Sequence, residues 1–120
     1  MKINNNEHIE QVKLINWFRE AYPILKKCLW AIPNGGMRHI RTAIKLKQEG
    51  ALSGVSDLFL MVPKNNKHGM FIEMKSKNGK LQESQKEFIS IAKAMGYEVV
   101  VCYSFNEAKT AIENYFNKVV

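Results

Sequence analysis

The stretch "GVSDLFLMVPKNNKHGMFIEMKSK", residues Gly54 to Lys77, decides the fold. Two apolar runs flank a short polar turn, so Val55 to Val62 and Met70 to Lys77 read as the strands of a hairpin, hence antiparallel. Each run carries charge that a buried strand should lack. Asp57 sits among Val55, Leu58, Phe59 and Leu60; Glu73 and Lys75 sit among Met70, Phe71, Ile72 and Met74. Side chains alternate along a strand, which puts Phe71, Glu73 and Lys75 on one face and Ile72 and Met74 on the other. Neighbouring strands lie ~5 Å apart, close enough for Asp57 and Glu73 to converge if the register permits. Two carboxylates held together in an apolar setting repel, so one takes up a proton unless a cation lies between them. Hard oxygen donors at an open site suit Mg²⁺ or Mn²⁺. The plainer alternative is a Glu73–Lys75 or Asp57–Lys75 ion pair at a sheet margin, and spacing alone does not separate the two.

Outward from the hairpin, periodicity organises the rest. From Glu7 to Tyr22 the residues Ile9, Val12, Ile15, Phe18 and Tyr22 recur at helical spacing, and Pro23 closes that helix. Cys28 to Ile32 reads as a short strand before the turn-rich "PNGG". Arg38 to Glu49 reads as a second helix with Ile40, Ile44 and Leu46 inward, and Gly50 as its C′ residue. After the Asn78-Gly79 turn, Gln82 to Met95 is a helix with Phe88, Ile89, Ala92 and Met95 inward. The continuously apolar strand Tyr97 to Tyr103 is expected at the centre of the sheet. Ser104, with Glu107 three residues on, forms a capping box for a last helix bearing Ala108, Ile112, Tyr115 and Phe116. The order α, β, α, β, β, α, β, α predicts one compact α/β domain over 1–120 with a mixed sheet flanked by helices.

The 120 residues suffice to bury a core without disulfide or metal staples. Eighteen Lys and Arg against 11 Asp and Glu leave +7, a balance that points to a polyanionic partner, nucleic acid first. Cys28 and Cys102 are far apart in apolar surroundings and read as free thiols of a reducing cytoplasm. His8, His39 and His68 lack ligand spacing and read as surface residues. No apolar run approaches a membrane span, so no membrane partner is expected.

Asp57 in "GVSDLFL" followed by "FIEMKSKNGKLQESQ" resembles the PD-(D/E)xK nuclease superfamily: Asp, a hairpin turn, then Glu-x-Lys on the second strand. The fuller pattern resembles its VRR-Nuc branch. Glu7 with Gln11 on the first helix, "IPNGG" at Ile32 to Gly36, Asp57, Glu73 with Lys75, "GKL" at Gly79 to Leu81 and Gln85 occur in that family's order. "GYEVVVCYSFNEA", Gly96 to Ala108, resembles its closing strand and helix. Two positions depart from the pattern: Ser56 stands where the family usually has Pro, and Gln82 where a small capping Ser is common.

The resemblance implies a restriction-endonuclease-like fold and an Mg²⁺- or Mn²⁺-dependent endonuclease. It implies Asp57, Glu73, Glu7 and the Met74 backbone carbonyl as metal ligands. Lys75 would hold or activate the water, or stabilise the transition state, and Gln85 would steady the site or contact a phosphate. Glu10 is expected at the surface, though a one-turn shift would exchange it with Glu7. Asn34, Arg38, Arg41, Lys45, Lys77 and Lys80 are candidate nucleic-acid contacts. Trp17 and Trp30 read as core or interface residues rather than base-stacking platforms. Small stand-alone members of the family, phage-encoded ones among them, resemble Holliday-junction resolvases. A homodimer acting on branched DNA in the cytoplasm (the host's, for a phage protein) is therefore expected. The alternative from another class is a non-catalytic nucleic-acid-binding module on the same fold.

Overall fold

The computed structural model of the protein describes residues 5–33 and 40–117. Its elements are α1 (Asn5–Ala21), β1 (Leu29–Ala31), α2 (Ile40–Gln48), β2 (Leu58–Leu60), β3 (Met70–Met74), α3 (Glu83–Ala94), β4 (Glu98–Cys102) and α4 (Phe105–Asn117), with a 3₁₀ helix (Pro23–Cys28) between α1 and β1. The order matches the periodicity; the 3₁₀ helix was not anticipated. Pro23 supplies its fixed φ, and the Leu25 N–H reaches back to the Tyr22 carbonyl at 2.9 Å.

The four strands form one mixed sheet in the order β1-β2-β3-β4. The hairpin is antiparallel with Phe59 opposite Phe71, and β3 runs parallel to β4 with Glu73 beside Val101. At its tip Asn65 and Asn66 both have positive φ (55° and 62°), which matches the strand twist as a type I′ turn does. Asn65 Nδ2 donates to the Tyr115 carbonyl and the Tyr115 hydroxyl donates to the Val62 carbonyl, both at 2.6 Å, so α4 is pinned to the hairpin.

β4 lies at the edge of the sheet, not at its centre. Its unbroken apolar character answers to the helices packed against it: α3 and α4 both contact β4, burying Val99 and Cys102 and half-burying Val100 and Val101. The core lies between the sheet and the α1–α4 pair, where Leu14, Phe18, Leu58, Leu60, Met70, Ile72, Met74, Ala108 and Ile112 are buried. Each large side chain there contributes about 1.5–3 kcal/mol of burial.

Helix α1 is rotated from the expected face. Leu14 and Phe18 are fully buried, whereas Ile9 and Val12 are 48% and 44% exposed. Ile44 of α2 and Met95 beyond α3 were expected inward and are exposed. In each case an apolar stripe wider than the available core surface leaves its margin in solvent. Gly50 takes the expected left-handed conformation after α2 (φ 107°). Among the described residues, no helix is long and apolar enough to cross a membrane.

Candidate active site

Beyond β2 the ladder continues: the Ile32 N–H donates to the Asp57 carbonyl at 2.8 Å, so Asp57 keeps the orientation set by the strand. Asp57 shares a face with Phe59, and Glu73 with Phe71, and the Phe59 and Phe71 rings touch at 4.6 Å. The alternation therefore delivers both carboxylates to one place, where their carboxyl groups are within hydrogen-bonding reach. The Met74 N–H turns away from β4 and donates to Asp57 Oδ2 at 2.7 Å, fixing that carboxylate. Lys75 remains in the ladder through its own N–H to the Cys102 carbonyl at 2.8 Å.

Glu73 is only 3% exposed, with apolar residues on both sides of it in the strand. Burial, then the neighbouring charge of Asp57, push its carboxyl up from 4.5 to about 8. Burial and repulsion thus favour the protonated form of Glu73, and the charge of Lys75 opposes them. Glu7 on α1 feels the same charges: burial raises its pKa, Lys75 opposes the rise and Asp57 adds to it.

Glu7 and Glu10 differ in their surroundings. Glu10 accepts the Phe105 N–H at 2.9 Å and pairs with Lys13 at 3.3 Å, so it ties α1 to the start of α4. The bond from Phe105 holds its carboxyl below the usual range. Gln11 lines a separate groove with His8, Val12 and Ile15.

Gln85 spans two elements. Its Oε1 accepts the Gln82 N–H at 2.8 Å, capping α3, and its Nε2 donates to Glu73 Oε2 at 3.3 Å. Thus Gln82, unusual as a cap residue, still begins a capped helix because Gln85 returns the bond. Gly54 allows this closeness: it has φ 92°, and a Cβ there would run into the Ser84 carbonyl. Ser56 is fully buried and its hydroxyl has no partner among the described residues, so Ser in place of Pro leaves an uncompensated polar atom, at a cost of about 1–3 kcal/mol.

A cleft of about 210 Å³ opens past the end of β3, lined by Asn6, Ile9, Glu10, Lys75, Ser76, Lys77 and Tyr103; it reaches Lys75, and its carboxylate is Glu10. Tyr103 and Ser76 carried no sequence signal, because only the parallel pairing of β3 with β4 brings their strand ends together. A larger cavity of about 520 Å³ lies over the other end of β3 and β4, against Met70, Glu98 and Tyr115, and contains none of the charged cluster. Lys45 and Lys80 are exposed, as is Lys77 at the cleft. Asn34 and Arg38 lie outside the described residues, as does the side chain of Arg41. Cys28 and Cys102 are free, the first half-buried and the second buried. Trp17 is half-buried, while Trp30 is 41% exposed.

The ion-pair alternative has a direct geometric test. Among the described residues, the salt bridges within 4 Å are Lys13–Glu10 and Lys86–Glu83, and Lys75 is in neither. No three His, Cys, Asp or Glu among the described residues are grouped as a ready metal cage. What stands together is a carboxylate pair, with Glu7 near enough to feel its charge and an amine not committed by a salt bridge to either member of the pair.

Comparison with known proteins agrees with this arrangement. The chain is 33% identical over 89 residues to the Fanconi-associated nuclease 1 homolog of Schizosaccharomyces pombe (strain 972 / ATCC 24843), a match covering 74% of this chain and 12% of that protein. It superimposes on a solved structure described as a VRR_NUC domain protein with TM-score 0.81 and 25% identity, covering 96% of this chain and 90% of the other. The VRR-NUC domain model matches residues 4–106, most of the sequence and every element that builds the site, and the chain belongs to the VRR-NUC family.

Proposed function

We propose that the chain is a metal-dependent endonuclease that hydrolyses DNA phosphodiester bonds. One observation carries this reading: Asp57 and Glu73 are forced together in an apolar sheet with Lys75 beside them and unpaired to either. A structural ion pair would have closed onto Lys75 and held the carboxylates ionised. Here burial and the charge of Asp57 instead raise the Glu73 carboxyl against the pull of Lys75, an unfavourable arrangement that a cation would relieve.

The donor set fits a small hard cation. Mg²⁺ commonly uses one or two carboxylates and keeps several waters, so a full protein cage is not needed. Asp57, Glu73 and the Met74 carbonyl would hold Mg²⁺ or Mn²⁺, with Glu7 contributing from α1. When bound, the ion supplies charge neutralisation at the phosphate and a more acidic water. The chain's own groups do the rest. Met74 N–H and Gln85 Nε2 keep the two carboxylates aimed. The Lys75 ammonium binds the phosphate oxygens or holds the attacking water, and Lys77, at the same cleft, draws in the neighbouring phosphate. Lys45, Lys80, Asn34, Arg38 and Arg41 extend the nucleic-acid contact.

A branched substrate and a homodimer make this reading more specific. The domain is 13.8 kDa and offers little surface for a duplex, so two copies would present two sites to paired strands. Sedimentation should give about twice the monomer mass; a strict monomer at micromolar concentration counts against the dimer.

The deciding assay incubates the protein with supercoiled plasmid and a four-way junction in Mg²⁺, Mn²⁺ or EDTA, beside the Asp57→Asn and Lys75→Ala variants. Metal-dependent cleavage lost in both variants is the expected result. Salt-sensitive binding without cleavage under every condition overturns it in favour of a non-catalytic binding module.

A further inference from the structure

The face that carries Asp57 and Glu73 continues away from the site as an aromatic strip. Trp30 on β1 lies directly opposite Phe59 on β2, with ring centroids 5.4 Å apart and planes at 67°. Phe59 is two residues from Asp57 on the same face, about 7 Å along the strand. Trp30 is thus one cross-strand neighbour from the residue that leads to the site. Its ring is braced on Phe59, which is braced in turn on Phe71, so its orientation is set by packing. Yet Trp30 is 41% exposed and Met61, further along the strip, is 52% exposed. The indole therefore presents one oriented face to a partner.

We propose that the Trp30 indole is the stacking platform for an unpaired nucleobase of the strand being cut. This rests on the nuclease reading and names what that site takes: a strand with at least one base out of its duplex next to the scissile phosphate. Two observations select a nucleobase over a protein side chain. Ring contacts run from Trp30 to Phe59, two residues from Asp57, so a protein partner seated on Trp30 would crowd the approach to Asp57. A substrate strand covers both at once. The chain also carries +7, which favours a polyanion over an uncharged apolar ligand. Base stacking on an exposed aromatic is tolerant of sequence, so Trp30 confers preference for an unpaired base and not for a particular one.

The test uses whole protein in EDTA with two probes of equal length and charge, oligo(dT) and an abasic deoxyribose-phosphate oligomer. Wild type should bind oligo(dT) more tightly, and Trp30→Ala should weaken that binding about 5- to 150-fold while binding the abasic strand as wild type does. Tryptophan fluorescence should be quenched by oligo(dT) in wild type and not in Trp30→Phe. There the remaining Trp17 is packed against Tyr22 and Phe105. Trp30→Tyr should restore part of the preference. A Trp30→Ala variant that keeps the full preference for bases overturns the proposal and leaves the nuclease reading standing. Wild type that binds neither probe at low salt overturns both. A tryptophan signal that follows protein concentration without any oligomer assigns the strip to a second copy of the chain and also overturns it.

Discussion

The N-termini of α3 and α4 are built to the same plan and put to different uses. At α4, Ser104 Oγ accepts the Glu107 N–H at 3.1 Å, Glu107 returns the bond to the Tyr103 N–H at 3.1 Å, and Glu10 takes the Phe105 N–H. Every partner there belongs to the scaffold. At α3, Gln85 returns a bond to the Gln82 N–H but spends its amide nitrogen on Glu73. A Glu in that place would cap equally well and could not donate. The amide lets one side chain close a helix and steady a buried carboxyl. The two caps also sit in opposite electrostatic surroundings: Glu10 is held low by a backbone N–H, and Glu73 is held high by burial and by Asp57. One carboxylate is satisfied by the fold, the other is buried against a second carboxylate.

The largest expected difference between the two caps is in activity. Gln85→Ala should reduce cleavage or metal affinity about 10- to 100-fold, the usual cost of removing a partner of a ligating group. Gln85→Glu should retain the helix and lose comparable activity, because it puts a third negative charge against Glu73. Metal titration and initial rates measure both. Equal activity in Gln85→Glu and wild type would break the distinction drawn here.

The α4 cap should show the reverse pattern. Ser104→Ala removes one acceptor and should cost about 1 kcal/mol of stability, roughly 4 °C in melting temperature, with cleavage rate preserved. Glu10→Ala should act alike and additionally loosen α1 from α4. Thermal melts beside plasmid nicking decide it; a large rate loss without a change in melting would place Glu10 at the site instead of Glu7.

The effect sharpest in sign is on pH. The folded-state value of Glu73 lies above its ordinary 4.5. Its proton therefore favours the folded state fully below 4.5, and that stabilisation declines as pH rises through about 8. Glu10 is shifted down, so its contribution is present above the ordinary carboxylate range and is lost as pH falls through its lowered value. In EDTA, Glu73→Gln should flatten the decline in melting temperature between pH 5 and 8, and Glu10→Gln the decline at acid pH. Saturating Mg²⁺ should offset the alkaline loss in wild type alone.

Much of this was legible from periodicity and chemistry, and the misses share a cause. The hairpin was readable because apolar alternation and a polar turn are local signals, and the same alternation set Phe71, Glu73 and Lys75 on one face. The Ser104 cap was readable because it is a contact three residues long, but the reciprocal half of the box differs: Glu107 accepts the Tyr103 N–H, one residue before the cap. The placement of β4 at the edge was not, since an apolar strand looks the same whether strands or helices cover it. The exposed margins of α1 at Ile9 and Val12, and of α2 at Ile44, were missed because periodicity shows which residues share a stripe, not how wide the opposing surface is. Glu7 and Glu10 lie one turn apart on overlapping faces, and sequence order does not tell which meets Lys75 and which meets Phe105.

What the amino-acid sequence determined by itself is therefore what short range dictates: the elements, the faces of the hairpin, the caps, and the presence of charges no ordinary core would keep. Tertiary structure decided the rest. It put Asp57 and Glu73 within reach of one proton, aimed Gln85 at Glu73, sent Glu10 to the scaffold and left Trp30 open beside the site. Those outcomes depend on groups distant in the chain meeting at specific separations, and burial and Coulomb energies exist only once the fold has brought the groups together.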